Sequence, residues 1–155
     1  MFDTGAPLAD ALLGDLASLE YDLTELPETG SLYDGGDCIE QAEIFAAKAF
    51  GAAETLFSAG GCTLCIQTML LLGAGPGGRV LFLRNAHRSA VHAAALLGLE
   101  PVWLWPGEDG RPSAAAIKET LNRSDNIRGV YITSPDYYGR LADIPAISAV
   151  CREAG

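Results

Sequence analysis

From residue 55 onward, short apolar runs alternate with stretches whose apolar residues recur at helical spacing. The runs are TLFSA (55–59), RVLFLRN (79–85), PVWLWP (101–106) and GVYITSP (129–135); the helical stretches fall at 62–73, 87–98, 112–122 and 144–153. A strand that is apolar along its whole length must be covered on both faces, which a parallel sheet flanked by helices provides. The pattern therefore predicts an α/β fold, a partial doubly wound parallel sheet in the order βαβαβαβα. Before residue 51 the pattern changes. Leu8, Leu12, Leu13, Leu16 and Leu19 recur at helical spacing over 8–19, giving an apolar stripe that needs a cover. Residues 20–38 are rich in turn formers and acids and read as an extended, irregular crossing. CIEQAEIFAAKAF (38–50) puts Ile39, Ala42, Phe45, Ala46 and Ala49 on one helix side, with Gly51 as its stop. The expected organisation is an acidic helical and extended segment over 1–50 and an α/β domain over 51–155.

Charge sharpens this division. Of the formal net charge of -10, all resides in the first third: residues 1–50 hold 11 acids and the single base Lys48, and residues 51–155 hold 9 of each sign. An acidic head argues against nucleic acid and anionic lipid as partners, since both demand clustered Lys and Arg. The first residues carry Asp3 and Asp10 where a secretory leader places cations, and no apolar run reaches membrane-spanning length, so the expected location is the cytoplasm. With 155 residues, 49% of them hydrophobic, the chain can bury a core without cross-links, and Cys38, Cys62, Cys65 and Cys151 read as reduced thiols.

Right-handed crossovers bring every strand-to-helix loop to the carboxyl edge of a parallel sheet, where ligands bind in open α/β folds. The polar, glycine-containing stretches fall there: SAGGCT, NAHRS and SPDYYG. In the first, Gly60 and Gly61 let the backbone approach a ligand, the amides of Cys62 and Thr63 open a helix, and the Thr63 hydroxyl adds a donor, a combination suited to an anion. The alternative is a plain glycine turn with Thr63 as cap. The loop has neither the Gly-Lys-Ser/Thr ending of a triphosphate loop nor the three-glycine dinucleotide fingerprint. Cys62-x-x-Cys65 has the spacing of a redox dithiol or half a zinc site, but no second pair accompanies it and His87 and His92 are five apart, so no metal site is expected; the plainer expectation is that Cys62 stands in the loop as a small residue and Cys65 faces the core one helical turn later. His87 opens a helix at the same edge, where an imidazole can stack on a planar ring, move a proton, or simply cap its own helix. In SPDYYG, Ser134 and Asp136 are candidates for polar contacts. No catalytic triad or carboxylate pair emerges from spacing.

At these loops the chain resembles the pyridoxal-phosphate-dependent ornithine/lysine/arginine decarboxylases, a fold-type-I family, over about residues 20–155. DLTELPETGSLYD is similar to the family's Asp-x-Thr-Glu-Leu-Pro segment, and AEIFAAKAFGAAETLFSAGGCT to its Ala-Ala-Lys-x-Phe-Gly helix and following Asn-Gly-Ser/Thr-Ser/Thr loop. RNAHRSAVHAAALLGLEPVWLWP resembles its Arg-Asn-x-His-Lys-Ser stretch, and VYITSPDYYGRLADI its Thr-Ser-Pro-Thr-Tyr-Tyr-Gly stretch. The resemblance implies the N-terminal half of a fold-type-I large domain, with Gly61, Cys62 and Thr63 cradling the pyridoxal 5'-phosphate (PLP) phosphate, His87 stacked on the pyridine ring, and Ser134 as a further polar contact. There are departures: Gly60 stands for the usual Asn, Cys62 for a hydroxyl residue, Ile66 for a polar one and Asp136 for Thr.

The resemblance further implies that the aspartate pairing with the pyridine nitrogen and the imine-forming lysine lie beyond Gly155. The only lysines, Lys48 and Lys118, fall in expected helices away from the edge. The expected function is thus the N-terminal part of a decarboxylase for a basic amino acid, with no catalytic residue of its own and inactive alone. The alternatives are a non-catalytic relative kept for binding or assembly, and another fold-type-I enzyme such as an aminotransferase. A half sheet leaves an open edge, so self-association is expected.

Overall fold

The computed structural model describes residues 31–32 and 37–155. The expected helix over 8–19 and most of the crossing over 20–38 lie outside the described residues. The chain divides into two compact units, Met1–Ala59 and Gly60–Gly155. In the first, helix α1 spans Asp37–Phe50, and Gly51, at φ +65°, ends it as its position suggests. The second unit orders α2 (Gly61–Ala74), β1 (Arg79–Leu83), α3 (Arg88–Leu96), β2 (Glu100–Leu104), α4 (Ala114–Arg123), β3 (Ile127–Tyr131) and α5 (Ile144–Ala154).

The sheet is parallel, in the order β2-β1-β3. β1 lies in the middle, and Val80 to Leu83 are buried to within 1% of exposure, which is why this strand needed an unbroken apolar run. Its side chains alternate between two cores. Val80 and Phe82, with Tyr131 of β3, pack beneath Leu70 and Ala74 of α2 and Ala90, Ala93 and Ala94 of α3. The three alanines let α3 lie close against the sheet. Leu81 meets Ile117 of α4 and Ile147 of α5 on the opposite face, with Val102, Leu104 and Val130 alongside. Helices thus cover both faces, the doubly wound α/β arrangement expected from the pattern. Caps start the helices where the sequence offers acceptors: Ser113 Oγ accepts from the Ala116 amide at 3.3 Å, and Asp143 Oδ1 from the Ala146 amide at 3.0 Å, just ahead of Pro145.

One expected element is absent. Residues 55–59 form no strand and lie outside the three-stranded sheet. A strand exists only as part of a pair, and an apolar run supplies burial preference without supplying that neighbour. Instead the Phe57 amide donates to Glu43 Oε1 at 2.7 Å, and Leu56 is 80% exposed.

Candidate functional site

β1 lies between β2 and β3, so the chain leaves β1 for one neighbour through α3 and reaches the other only after crossing back through α4. The strand order therefore reverses between β1 and β3. Loops leaving adjacent strands at such a point diverge to opposite faces and leave a crevice at the carboxyl ends. The loop after β1 carries His87 and the loop after β3 carries Ser134. α2 brings the third candidate group to this end. Its last residue lies against the start of β1, where a Cβ on Gly78 would stand 2.3 Å from the Ala74 carbonyl oxygen. The helix, about 21 Å long at 1.5 Å per residue, runs back over the face holding Phe82, with Ile66 packed on that core. Its first turn, with Gly61, Cys62 and Thr63, is directed to the carboxyl edge.

That first turn presents backbone donors that the helix itself does not use. The opening amides of an α-helix have no intrahelical acceptor, and the N-cap Gly60 contributes no side-chain hydrogen bond. Gly61 sits at φ +64°, with no atom within 4 Å of where a Cβ would be, so the backbone is open to close approach. Thr63 does not cap α2. Both Cys62 and Cys65 are exposed; the expectation that Cys65 faces the core is not met, because Ile66 and Leu70 occupy that face.

His87 is the N-cap of α3. Its Nδ1 accepts from the Ser89 amide at 3.2 Å and lies 2.8 Å from Ser89 Oγ. Accepting an amide proton requires a lone pair on Nδ1, so the neutral ring carries its proton on Nε2. Capping occupies the ring edge and leaves its faces available for stacking. Ser89 itself is 5% exposed and holds the ring from below.

After β3, Ser134 Oγ accepts from the Ala142 amide at 3.0 Å, which pins the loop and leaves the hydroxyl proton for another acceptor. Asp136 is not poised for a ligand. Its Oδ1 accepts from the amides of Tyr138 and Arg140, both at 2.9 Å, and its Oδ2 lies 3.8 Å from Arg140 Nη1, so the carboxylate is spent on closing the loop. Two groups here escaped the sequence reading. Thr133 Oγ1 is buried without a hydrogen-bond partner among the described residues, one position before Ser134. Arg84 leaves β1 with its guanidinium 5.3 Å from the Trp103 ring centre and 5.7 Å from that of Trp105. The signal for both was position alone, a polar residue at the end of a buried strand. Among the described residues no cluster of metal-ligating side chains forms.

The parallel sheet with helices on both faces, and helix-opening amides, an oriented imidazole and hydroxyls toward its carboxyl edge, defines the class as a doubly wound α/β domain. The fold is shared with a serine palmitoyltransferase from S. paucimobilis solved with bound PLP-myriocin aldimine, at a TM-score of 0.66 and 18% identity, covering 99% of this chain and 38% of that one. Residues 10–154 match the family model of the Orn/Lys/Arg decarboxylase major domain, and the chain belongs to that family. It is 34% identical over 152 residues to the uncharacterized protein YaaO of Bacillus subtilis (strain 168), covering 94% of this chain and 30% of that protein. It is 30% identical over 151 residues to an arginine decarboxylase of Halalkalibacterium halodurans, with coverages of 94% and 30%. The chain thus spans less than a third of the length of these relatives.

The residues present fit a phosphorylated, planar cofactor. Helix-opening amides with no side-chain cap stand at the start of α2, the Thr133 hydroxyl lies buried without a hydrogen-bond partner among the described residues just after β3, and the His87 ring is held by its edge.

Proposed function

We propose that this chain forms part of the PLP-binding domain of a decarboxylase acting on a basic amino acid, arginine, lysine or ornithine, with residues 51–155 as the cofactor-binding portion. The single observation that carries the reading is the topological reversal between β1 and β3, with His87 and Ser134 on the two diverging loops. Bound there, PLP supplies an electron sink for the charge left when the substrate carboxylate departs as carbon dioxide. The chain's own residues bind and orient. The amides of Gly61, Cys62 and Thr63 and the Thr63 hydroxyl hold the phosphate, the His87 ring lies on the pyridine, and Ser134 donates its hydroxyl proton. Lys118 pairs with Glu153 at 2.6 Å on α4 and α5, which cover the face of the sheet opposite α2. We infer that the chain alone does not turn over and that the complete protein is cytoplasmic; no helix among the described residues is long and apolar enough to cross a membrane.

The test is a PLP titration of the full chain followed by equilibrium dialysis, with Thr63→Ala and His87→Ala beside it. Thr63→Ala should bind at least about tenfold more weakly, the equivalent of one hydrogen bond to a charged group, and His87→Ala about two- to tenfold more weakly through loss of ring stacking. Equal affinity in all three, or none that inorganic phosphate displaces, refutes the cradle. In the complete protein, release of an amine rather than a keto acid separates decarboxylation from transamination. The replacement of a hydroxyl residue by Cys62 and of Asn by Gly60 favours one second reading, a relative that keeps the fold for binding or assembly; a complete protein that takes up no PLP supports it.

We also infer self-association. The outer side of β3 has no strand partner among the described residues, and a groove of about 140 Å³ lined by Met69, Leu70, Gly73, Gly129, Val130 and Tyr131 runs beside it. The later turns of α2 leave large apolar side chains in the open, Met69 at 53% and Leu72 at 81% exposure, as befits a helix that another surface covers. Light scattering that finds only monomer at all concentrations removes this inference.

A further inference from the structure

The first turns of α2 hold a feature that PLP binding does not use. Cys62 and Cys65 stand three residues apart on the helix, and both are exposed free thiols. Side chains three apart share a helix face, with Cβ atoms about 5–6 Å apart. A disulfide requires about 3.5–4.5 Å, so closure asks the turn to tighten by roughly 1–2 Å. This helix start can yield that much. It begins on two glycines, has no side-chain cap, and pivots at Gly61, where nothing lies within 4 Å of the Cβ position. Within the α/β unit no other thiol competes: Cys151 is on α5, packed with the Leu81 and Ile117 core on the far side of the sheet from α2.

We propose that Cys62 and Cys65 form a redox-sensitive dithiol that closes to a disulfide across the first turns of α2 by exchange with a low-molecular-weight disulfide such as glutathione disulfide. One cysteine thiolate attacks a sulfur of the small disulfide, whose S–S bond breaks and whose other half leaves as a thiolate that takes up a proton. The second cysteine thiolate then attacks the protein sulfur of the mixed disulfide, forming the Cys62–Cys65 bond and expelling the second small thiol. Two protein thiols are oxidised and one small disulfide is reduced to two thiols. The regulatory consequence rests on the reading of this turn as the phosphate cradle. Drawing the two Cβ atoms together re-aims the amides of Cys62 and Thr63, so the oxidised chain holds PLP about tenfold more weakly, the loss of one charge-assisted hydrogen bond, and reduction restores it.

The full chain is equilibrated with glutathione disulfide, its remaining thiols are alkylated, and peptides are mapped by mass. The peptide holding Cys62 and Cys65 should lack label and be lighter by two hydrogen atoms, with two glutathione molecules released, while Cys151 takes the label. Cys65→Ser should stop at a glutathione adduct on Cys62. Phenylarsine oxide, which bridges paired thiols, should bind the reduced chain and not Cys65→Ser. Alkylation of both cysteines after equilibration, or glutathione retained on each of them in the unaltered chain, overturns the proposal. PLP titration of the oxidised and reduced forms is read separately: a disulfide that forms while neither state binds PLP upholds the dithiol and refutes the cradle, and equal PLP affinity in the two states refutes the regulatory consequence.

Discussion

Gly60→Ala tests the geometry of the helix start on which the binding site depends. Gly60 has φ -81° and ψ 6°, a negative-φ bridge conformation that is open to alanine though sparsely populated, so contacts weigh more than torsion in the substitution. Its Cβ, however, would lie 2.5 Å from Leu64 Cδ2, 2.7 Å from Leu64 Cβ and 3.1 Å from Leu64 Cγ. Carbon atoms prefer about 3.5–4.0 Å. A rotation of Leu64, which is 45% exposed, can carry away its Cγ and Cδ2, but its Cβ is fixed to the backbone, so the first turn itself must shift. Overpacking of this kind costs about 1–3 kcal/mol, offset by about 0.4–1 kcal/mol from the stiffer unfolded chain, for a net loss of roughly 1–2 kcal/mol. In urea, followed by the fluorescence of Trp103 and Trp105, the midpoint should fall by roughly 0.5–1 M with unchanged slope. Leu64→Ala leaves the Cβ contact and should relieve part of the loss; Leu64→Gly should relieve all the steric part, so the double-mutant cycles must show coupling of about 0.5 kcal/mol or more. Additive effects, or a Gly60→Ala midpoint above that of the parent, would refute this packing and with it the placement of the amides of Cys62 and Thr63.

Two other perturbations probe the scaffold. Ile117→Ala removes a side chain with no exposure from the core under α4 and should cost about 2–5 kcal/mol in the same assay, whereas Leu96→Ala, at 70% exposure, should stay within about 0.5 kcal/mol; equal losses would show that Ile117 is not enclosed. Glu153 is held below the usual glutamate value of 4.5 by its hydrogen bond from Lys118, and Glu100 likewise by its hydrogen bond from Arg79. Carboxylates lowered on folding add stability above pH 4.5 that is lost as the pH falls through their folded values. Urea midpoints measured from neutral into acid should therefore decline less steeply for Glu153→Gln and Glu100→Gln, an effect that molar salt suppresses, and unchanged slopes would show that both pairs are too solvated to matter.

How far the sequence disclosed this molecule follows from which forces act locally. β1 was legible because burial on both faces demands an unbroken apolar run, and α3, α4 and α5 because apolar residues at helical spacing mark one covered face; the caps at Ser113 and Asp143 came only with the structure. Residues 55–59 carry the same apolar character as β1 and yet form no strand, since pairing is a relation between distant segments that one segment's composition cannot express. The site divides along the same line. A histidine after β1 and a serine after β3 mark the carboxyl edge, but the Asp136 carboxylate turns inward to its own loop, and the Thr133 hydroxyl, buried without a hydrogen-bond partner among the described residues, had no signal beyond its position. His87 shows that the two readings of a residue need not compete: a cap uses the ring's edge and stacking its face, so the contact that fixes α3 is also what presents the imidazole. Ser89→Ala takes away the Oγ contact and leaves the amide cap, so α3 should stand while the ring is held less firmly, and helix stability and ligand affinity would then no longer fall together.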